Sequence, residues 1–573
     1  MPRIPLHGAP YQGRSIISSG QEAVNLYAES NQGDPTTPVP ITWYGTPGST
    51  LYSDPSFSRN VRQVYRNSLG TGAYVVIGPK VYFLDPSQTL TQIGTIADLP
   101  SRVSITDNGL TAVLVDGSTN GYAIDLVTNL FAPIVDPSFY GADYALFLDT
   151  FFVFNRPLTN QFYISLSEVT WGMLSGTAVG NNGIIVGGAG YGDNTYSNVP
   201  LTGGTGTGAT ATITVAGGTV TVVQLDNFGA GYLIGDVLSA SNVNLGGAGA
   251  GFTYTNTSFQ LAFDPLDIAA KSGSPDPIVG IATVHQELWL IGALTTEIWI
   301  GTGAADFFFQ QVQGAYINHG CSAQYSIADQ DTIVFWLMQD RQGQFIVVMG
   351  QGYDISEIST PRLIKEFEAY TTTSDAVGFT YQIADHAFYA LIFPTANKGW
   401  LYDLKTKWWN EWNWTDNNGN LNRPRANCCM FVYGSVVVGD WQNGRLLKLD
   451  PDTYTDVDVD RTPQPITRIK TFPHQIGAEF ERVTYNSFDA DMEAGTDPNM
   501  AEIPLVFLSW SDDRGVTFQN PVPQTMGQTG QYLTTISWNR LGMARDRVFK
   551  LEWSAAVRTA LNGGFTEVIG HKT

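Results

Sequence analysis

Residues able to do chemistry are few and scattered along this chain. The six histidines, His7, His285, His319, His386, His474 and His571, show no HxH, HExxH or H-x3-H spacing that would bring two imidazoles to one metal ion. Cys321 follows His319 by two residues, which on a strand puts thiol and base on one face, but no third group is placed to orient the base. Both are read as buried strand residues. Ser511-Asp512-Asp513-Arg514-Gly515-Val516-Thr517-Phe518 fits S-x-D-x-G-x-T-[WF], the Asp box, a β-turn closed by Ser and Asp hydrogen bonds with an aromatic plug.

An Asp box raises the question of glycoside hydrolysis, because sialidase-like propellers carry several. Such an enzyme needs an acid/base carboxylate pair, and a sialidase an arginine cluster with a Tyr nucleophile. One box and no distinctive spacing mark neither set. The glycine-rich runs are equally unpromising: GAGY at Gly188 to Tyr191 recurs at Gly229 to Tyr232, and GTGTGATATITV at 204–215 is echoed by GGAGAGFTYTN at 246–256. Without a following helix, an acidic partner or GK[ST], these cannot cradle phosphate. Trp408, Trp409, Trp412 and Trp414 could stack on a sugar or partner, but in WLYDLKTKWWNEWN they read as a packed strand-turn-strand. The sequence therefore assigns no catalytic residue, no cofactor-binding residue and no metal ligand, and it implies no cofactor.

The elements that would carry these residues are strands. The chain has 573 residues, 43% hydrophobic and 14% charged, with 60 Gly and 29 Pro, a mix of many turns and few helix-forming charges that indicates an all-β protein. That length exceeds the roughly 250–300 residues one core serves, so at least two domains are expected. With 52 acidic against 30 basic residues the formal charge is −22, which disfavours gripping phosphates through counter-ion release. It suits a conduit through which DNA slides, since repulsion flattens the binding energy along its length. The cysteines, Cys321, Cys428 and Cys429, form neither a disulfide framework nor a CxxC site, which suggests assembly in a reducing cytoplasm. The start, MPRIPLHGAPYQG, lacks an apolar signal core and no run approaches 18 apolar residues, so neither secretion by a signal peptide nor a membrane span is expected.

Taken in order, residues 1–60 are an extended Pro-rich arm. Residues 61–170 hold paired apolar runs around Gly78-Pro79 and Asp116-Gly117, then ALFLDTFFVFNRPLTNQFYISL, at a spacing of roughly 35–45 residues typical of propeller blades. Residues 171–262 break the pattern and read as an inserted Gly-rich β-domain whose ATITV and TVTVVQL alternate like half-buried strands. Blades resume over 263–458, where Trp289, Trp299 and Trp336 read as core. Residues 459–573 alternate like a separate β-sandwich. The fold expected is thus a β-propeller of six or seven blades with an insert and a C-terminal β-sandwich-like domain.

The chain resembles the packaged-DNA stabilisation, or tail hub (nozzle), proteins of short-tailed bacteriophages. The likeness lies in NLYAE (Asn25 to Glu29), PVPITWYGTPG (Pro38 to Gly48), FFVFN, QFYIS, PDPIVGIATVHQELWLIGALTTEIW, VFWLMQD, EIST, SWSDDRGVTF and GQTGQYLTTISWNRLGMARDRVFKLEWS. Residues 171–262 depart from it. The resemblance implies a structural virion protein, not an enzyme, assembled in the host cytoplasm as a homohexameric ring. Its implied partners are the head-to-tail adaptor, a tail fibre or tailspike, a distal plug or needle, and genomic DNA passing through the lumen without sequence-specific contacts. A receptor-binding adhesin and a carbohydrate-active propeller are the alternatives.

Overall fold

The computed structural model describes residues 3–10, 13–15, 21–31, 40–304, 306–477, 480–493, 495 and 503–570. Pro2, Pro38 and His571, drawn on above, lie outside them. Among the described residues only Trp171–Leu174 and Pro361–Glu368 form α-helices; apart from short 3-10 turns at Asn242–Leu245 and Gln324–Ser326 the rest of the regular structure is strand. The second helix starts where Thr360 caps Leu363 N and Pro361 presets the first turn.

Six four-stranded antiparallel sheets follow the blade period, and a seventh four-strand run, Val377–Ile383 to Trp408–Glu411, continues into a ten-stranded sheet. The first comprises Val61–Arg66, Ala73–Ile77, Lys80–Leu84 and Leu90–Thr95. The others begin at Ser104, Ala145, Ile278, Ala328, Val377 and Ala426. Second strands such as Ala73–Ile77 and Thr111–Val115 are buried at every position, which is why they read as unbroken apolar runs. Hairpins turn where expected, with Ile77 opposite Lys80 and Val115 opposite Gly121. Two others, at His285-Gln286 and Ala384-Asp385, hold positive φ without any glycine.

Three of the third strands, Gly121–Asp125, Lys398–Asp403 and Leu446–Asp450, end in an aspartate for a physical reason. Asp125 accepts from Val127 N, Thr128 N and Thr128 Oγ1, and Asp403 accepts from Lys405 N and Thr406 Oγ1. Each carboxylate thus closes the turn toward the outer strand.

The chain divides into two compact units, residues 1–64, 86–90 and 317–573 in one and 65–85 and 91–316 in the other. In the first unit, the early residues supply strands to three sheets. Ala23–Val24 lies between Trp408–Glu411 and Arg468–Thr471. Leu26–Ser30 pairs with Ile41–Gly45, which pairs with Ala560–Gly570. Gly48–Ser53 is the outer strand of the last blade, with Gly48 opposite Asp450. The C-terminal strands pack as two sheets around Phe488, Leu508, Phe549, Leu551 and Trp553, all buried.

In the second unit, the insert interrupts one blade between Gln161–Ile164 and Ile268–Ala270, which nevertheless pair, Gln161 opposite Ala270. The insert is a six-stranded sheet with its own core, including Ile213, Val215, Leu225, Leu238 and Tyr254.

Candidate functional site

Cys321 and His319 do not share a strand, contrary to expectation. Both lie in the connection between Phe309–Ile317 and the short 3-10 turn Gln324–Ser326, where Trp336 Nε1 donates to Gly320 O at 3.0 Å. Cys321 is buried, its Sγ donates to Ala323 O, and burial pushes the thiol up to about 12. His319 is only half-buried. A neutral thiol of this kind is not a nucleophile.

The structure does assemble an imidazole–carboxylate pair that spacing did not reveal. His386 Nδ1 and Asp403 Oδ2 are 2.9 Å apart, both side chains fully buried. His386 overhangs the start of its strand beside Asp403, the last residue of the neighbouring one. What faces the other ring nitrogen is the carboxylate of Glu29, 3.8 Å away, and Nε2 makes no hydrogen bond. A base needs a hydroxyl, thiol or water there, so the pair orients a ring between Tyr27 and Phe388 rather than activating a nucleophile. His474 is similarly tied to Asp546, at 2.8 Å; His7 and His285 join neither pair.

The Asp box adopts the geometry its sequence dictates. Asp513 Oδ1 accepts from Thr517 N at 2.8 Å and Ser511 Oγ at 2.6 Å, and Gly515 N donates to Ser511 Oγ at 2.8 Å. These hydrogen bonds hold the exposed Asp513 carboxyl down to about 2. Asp512 points the other way and forms a two-pronged pair with Arg547, 2.6 Å to Nε and 2.8 Å to Nη2. The tryptophan cluster is packed: Trp409 Nε1 donates to Ile358 O, Trp408 stacks on Trp43 at 5.8 Å, Arg425 covers Trp414 at 5.0 Å, and Trp412 is 7% exposed. Trp289, Trp299 and Trp336 are also buried.

Among the described residues no group of three His, Cys, Asp or Glu could hold a metal ion, and no helix is long and apolar enough to cross a membrane. The first unit also holds a polar cleft of about 320 Å³. Strands Leu26–Ser30 and Ile41–Gly45 bring Tyr27, Glu29 and Tyr44 to it, Arg468 comes from Arg468–Thr471, and Arg558 from the loop before Ala560–Gly570. Glu29 and Tyr44 belong to the NLYAE and ITWYG segments. The two arginines carry no sequence signal, because only tertiary pairing makes them neighbours.

Two family models match the sequence. One, described as the β-propeller of bacteriophage P22 Gp10, covers residues 206–454; the other, described as the β-sandwich of the same protein, covers residues 471–568. No curated protein matches the chain. Among solved structures, the WD40 β-propeller domain of Doa1 aligns at 9% identity over 70% of this chain and 96% of its own, TM-score 0.33. YCF48 bound to D1 peptide aligns at 10% over 73% and 98%, TM-score 0.33.

Proposed function

The chain belongs to the family of bacteriophage P22 Gp10, and from that membership we propose that it is the tail nozzle of a short-tailed phage, a ring-forming channel segment that docks below the portal–adaptor complex. It retains the packaged genome after filling and forms part of the path by which DNA leaves. The observation that carries this reading is the order of the two matches, propeller then sandwich, within one chain. The balance of charge agrees: with a formal −22 per chain, subunits around a lumen repel DNA and leave it free to slide. Domain roles follow the sequence divisions, with 61–170 and 263–458 as scaffold and the arm, the 171–262 insert and the 459–573 domain making contacts. Ring closure of this kind uses head-to-tail, heterologous interfaces.

The test is imaging of tails and of the purified protein. Six-fold rings at the distal face of the adaptor, and particles that lose DNA when this chain is missing, are the expected results. Three-fold fibres projecting from the tail would instead make it an adhesin and overturn the proposal.

A further inference from the structure

Arg468 is 1% exposed, yet its Nε and Nη1 make no hydrogen bond. A guanidinium taken out of water without a partner is strongly unfavourable. Asp456 is the carboxylate that acts on it most, but Asp456 Oδ1 accepts from Ser49 Oγ at 2.9 Å, and burial pushes that carboxyl up to about 6. Its contact is with Ser49, and neither Nε nor Nη1 of Arg468 hydrogen-bonds to it. Arg468 instead lines the 320 Å³ cleft, pressed against Gly45, where a Cβ would stand 2.3 Å from Nε.

The remaining walls suit an anion with one charge. Arg558 brings a second guanidinium, 59% exposed and 3.4 Å from Glu493. Burial keeps the Tyr27 and Tyr44 hydroxyls protonated, Glu29 reinforcing the effect, so both can donate. Glu29 and Asp452 also line the cleft and repel a dianion more than a monoanion. A planar carboxylate matches a guanidinium fork, and the volume admits a small organic acid or an Asp or Glu side chain.

We propose that this cleft binds a carboxylate between Arg468 and Arg558, with the tyrosine hydroxyls as further donors. The carboxylate comes either from a free organic acid or from an acidic side chain of a neighbouring polypeptide.

Acetate, a singly charged carboxylate, titrated into the full-length chain at constant ionic strength, with chloride and phosphate as controls, tests the site. Acetate is expected to raise the unfolding temperature by mass action while phosphate does no more than chloride. Arg468→Met should abolish the rise. Arg558→Gln, at an exposed position that does not decide folding, should weaken apparent affinity about tenfold, as loss of one charge-assisted contact does. No acetate-specific rise in the wild type, an equal rise with phosphate, or an unchanged rise in Arg558→Gln would each overturn the assignment. Sources are told apart by repeating the titration on whatever assembly the chain forms: a response there marks a free acid, whereas a response confined to dissociated chains, with Arg558→Gln weakening assembly, marks a neighbouring polypeptide.

Discussion

The ring of Tyr232 rests against Gly206, where a Cβ would stand 2.5 Å from Tyr232 Cδ2. Tyr191 occupies the same position over Gly249, at 2.1 Å from Cδ1. Each tyrosine ends a GAGY run whose glycines hold positive φ, 63° and 84° at Gly188 and Gly190, 60° and 82° at Gly229 and Gly231. The internal repeat of the insert therefore encodes one packing unit twice, a tyrosine over a bare Cα. Gly206→Ala and Gly249→Ala should each overpack the insert by about 1–3 kcal/mol. Hydrogen exchange across 194–230 and 237–255 should rise while the blades keep their protection; unchanged exchange would mean the rings simply move aside.

Gly48 is fixed by backbone rather than by side chains. A Cβ there would lie 2.4 Å from Thr453 O and 2.5 Å from Thr455 O, and Gly48 N donates to Thr453 O at 2.9 Å. Gly48→Ala must push Gly48–Ser53 off Leu446–Asp450, at an expected cost of about 3 kcal/mol. Limited proteolysis should then cut within residues 48–60 faster than in the wild type. Equal cleavage rates would show that the strand accommodates the methyl group.

Apolar runs, their turns and the Asp box were legible because each is a local signal: alternation, a glycine or aspartate at a hairpin, a fixed Ser-Asp-Gly-Thr spacing. The pairing of the first 60 residues was not, since proline-rich composition hides short strands whose partners, such as Arg468–Thr471 and Ala560–Gly570, lie at the far end of the sequence. The same holds for the cleft. Nothing near Tyr27 or Tyr44 in sequence announces Arg468 or Arg558, and the His386–Asp403 pair follows from hairpin register rather than from any motif.

Burial depresses Lys470 to about 7. Its Nζ lies 3.9 Å from the centre of the Trp43 ring and donates to Gly8 O. The unfolded chain keeps the proton up to its ordinary value of 10.5, so the unfolded state is the more protonated between about 7 and 10.5 and stability rises with pH across that window. Below pH 7 the full penalty remains. Lys470→Met should therefore stabilise the fold at pH 6 by roughly 3–5 kcal/mol at 1.36 kcal/mol per pH unit, less about 1 kcal/mol for the lost ring contact. Denaturation midpoints of both proteins measured against pH should converge toward pH 10.5. A gap that stays constant would contradict the assignment.

Asp513 titrates in the opposite sense. Its folded value near 2 lies below the ordinary 3.8, so its contribution is complete above about pH 4 and disappears as pH falls through 2. The carboxyl carbon resonance of Asp513 should shift with a midpoint near 2, and Ser511→Ala should move that midpoint upward by removing the first of the hydrogen bonds that hold it down. A midpoint at 3.8 in the wild type would mean the turn is not closed in solution.

Asp512 should matter more to stability than its neighbour, although both sit on the same exposed turn. Its partner Arg547 is 1% exposed, lies 4.5 Å from the Tyr485 ring centre and donates Nη1 to Leu541 O. Asp512→Ala leaves that guanidinium buried with one carbonyl as its remaining partner, an arrangement expected to cost about 3–5 kcal/mol. Arg547→Met alone removes the buried charge and leaves a half-exposed carboxylate that water can solvate, so it should cost less. In the double variant the buried charge has no partner to lose, and stability should return to within about 1–2 kcal/mol of the wild type. A double-mutant cycle on the C-terminal transition measures this. Simple additivity of the two losses would show that Asp512 and Arg547 act independently despite their geometry.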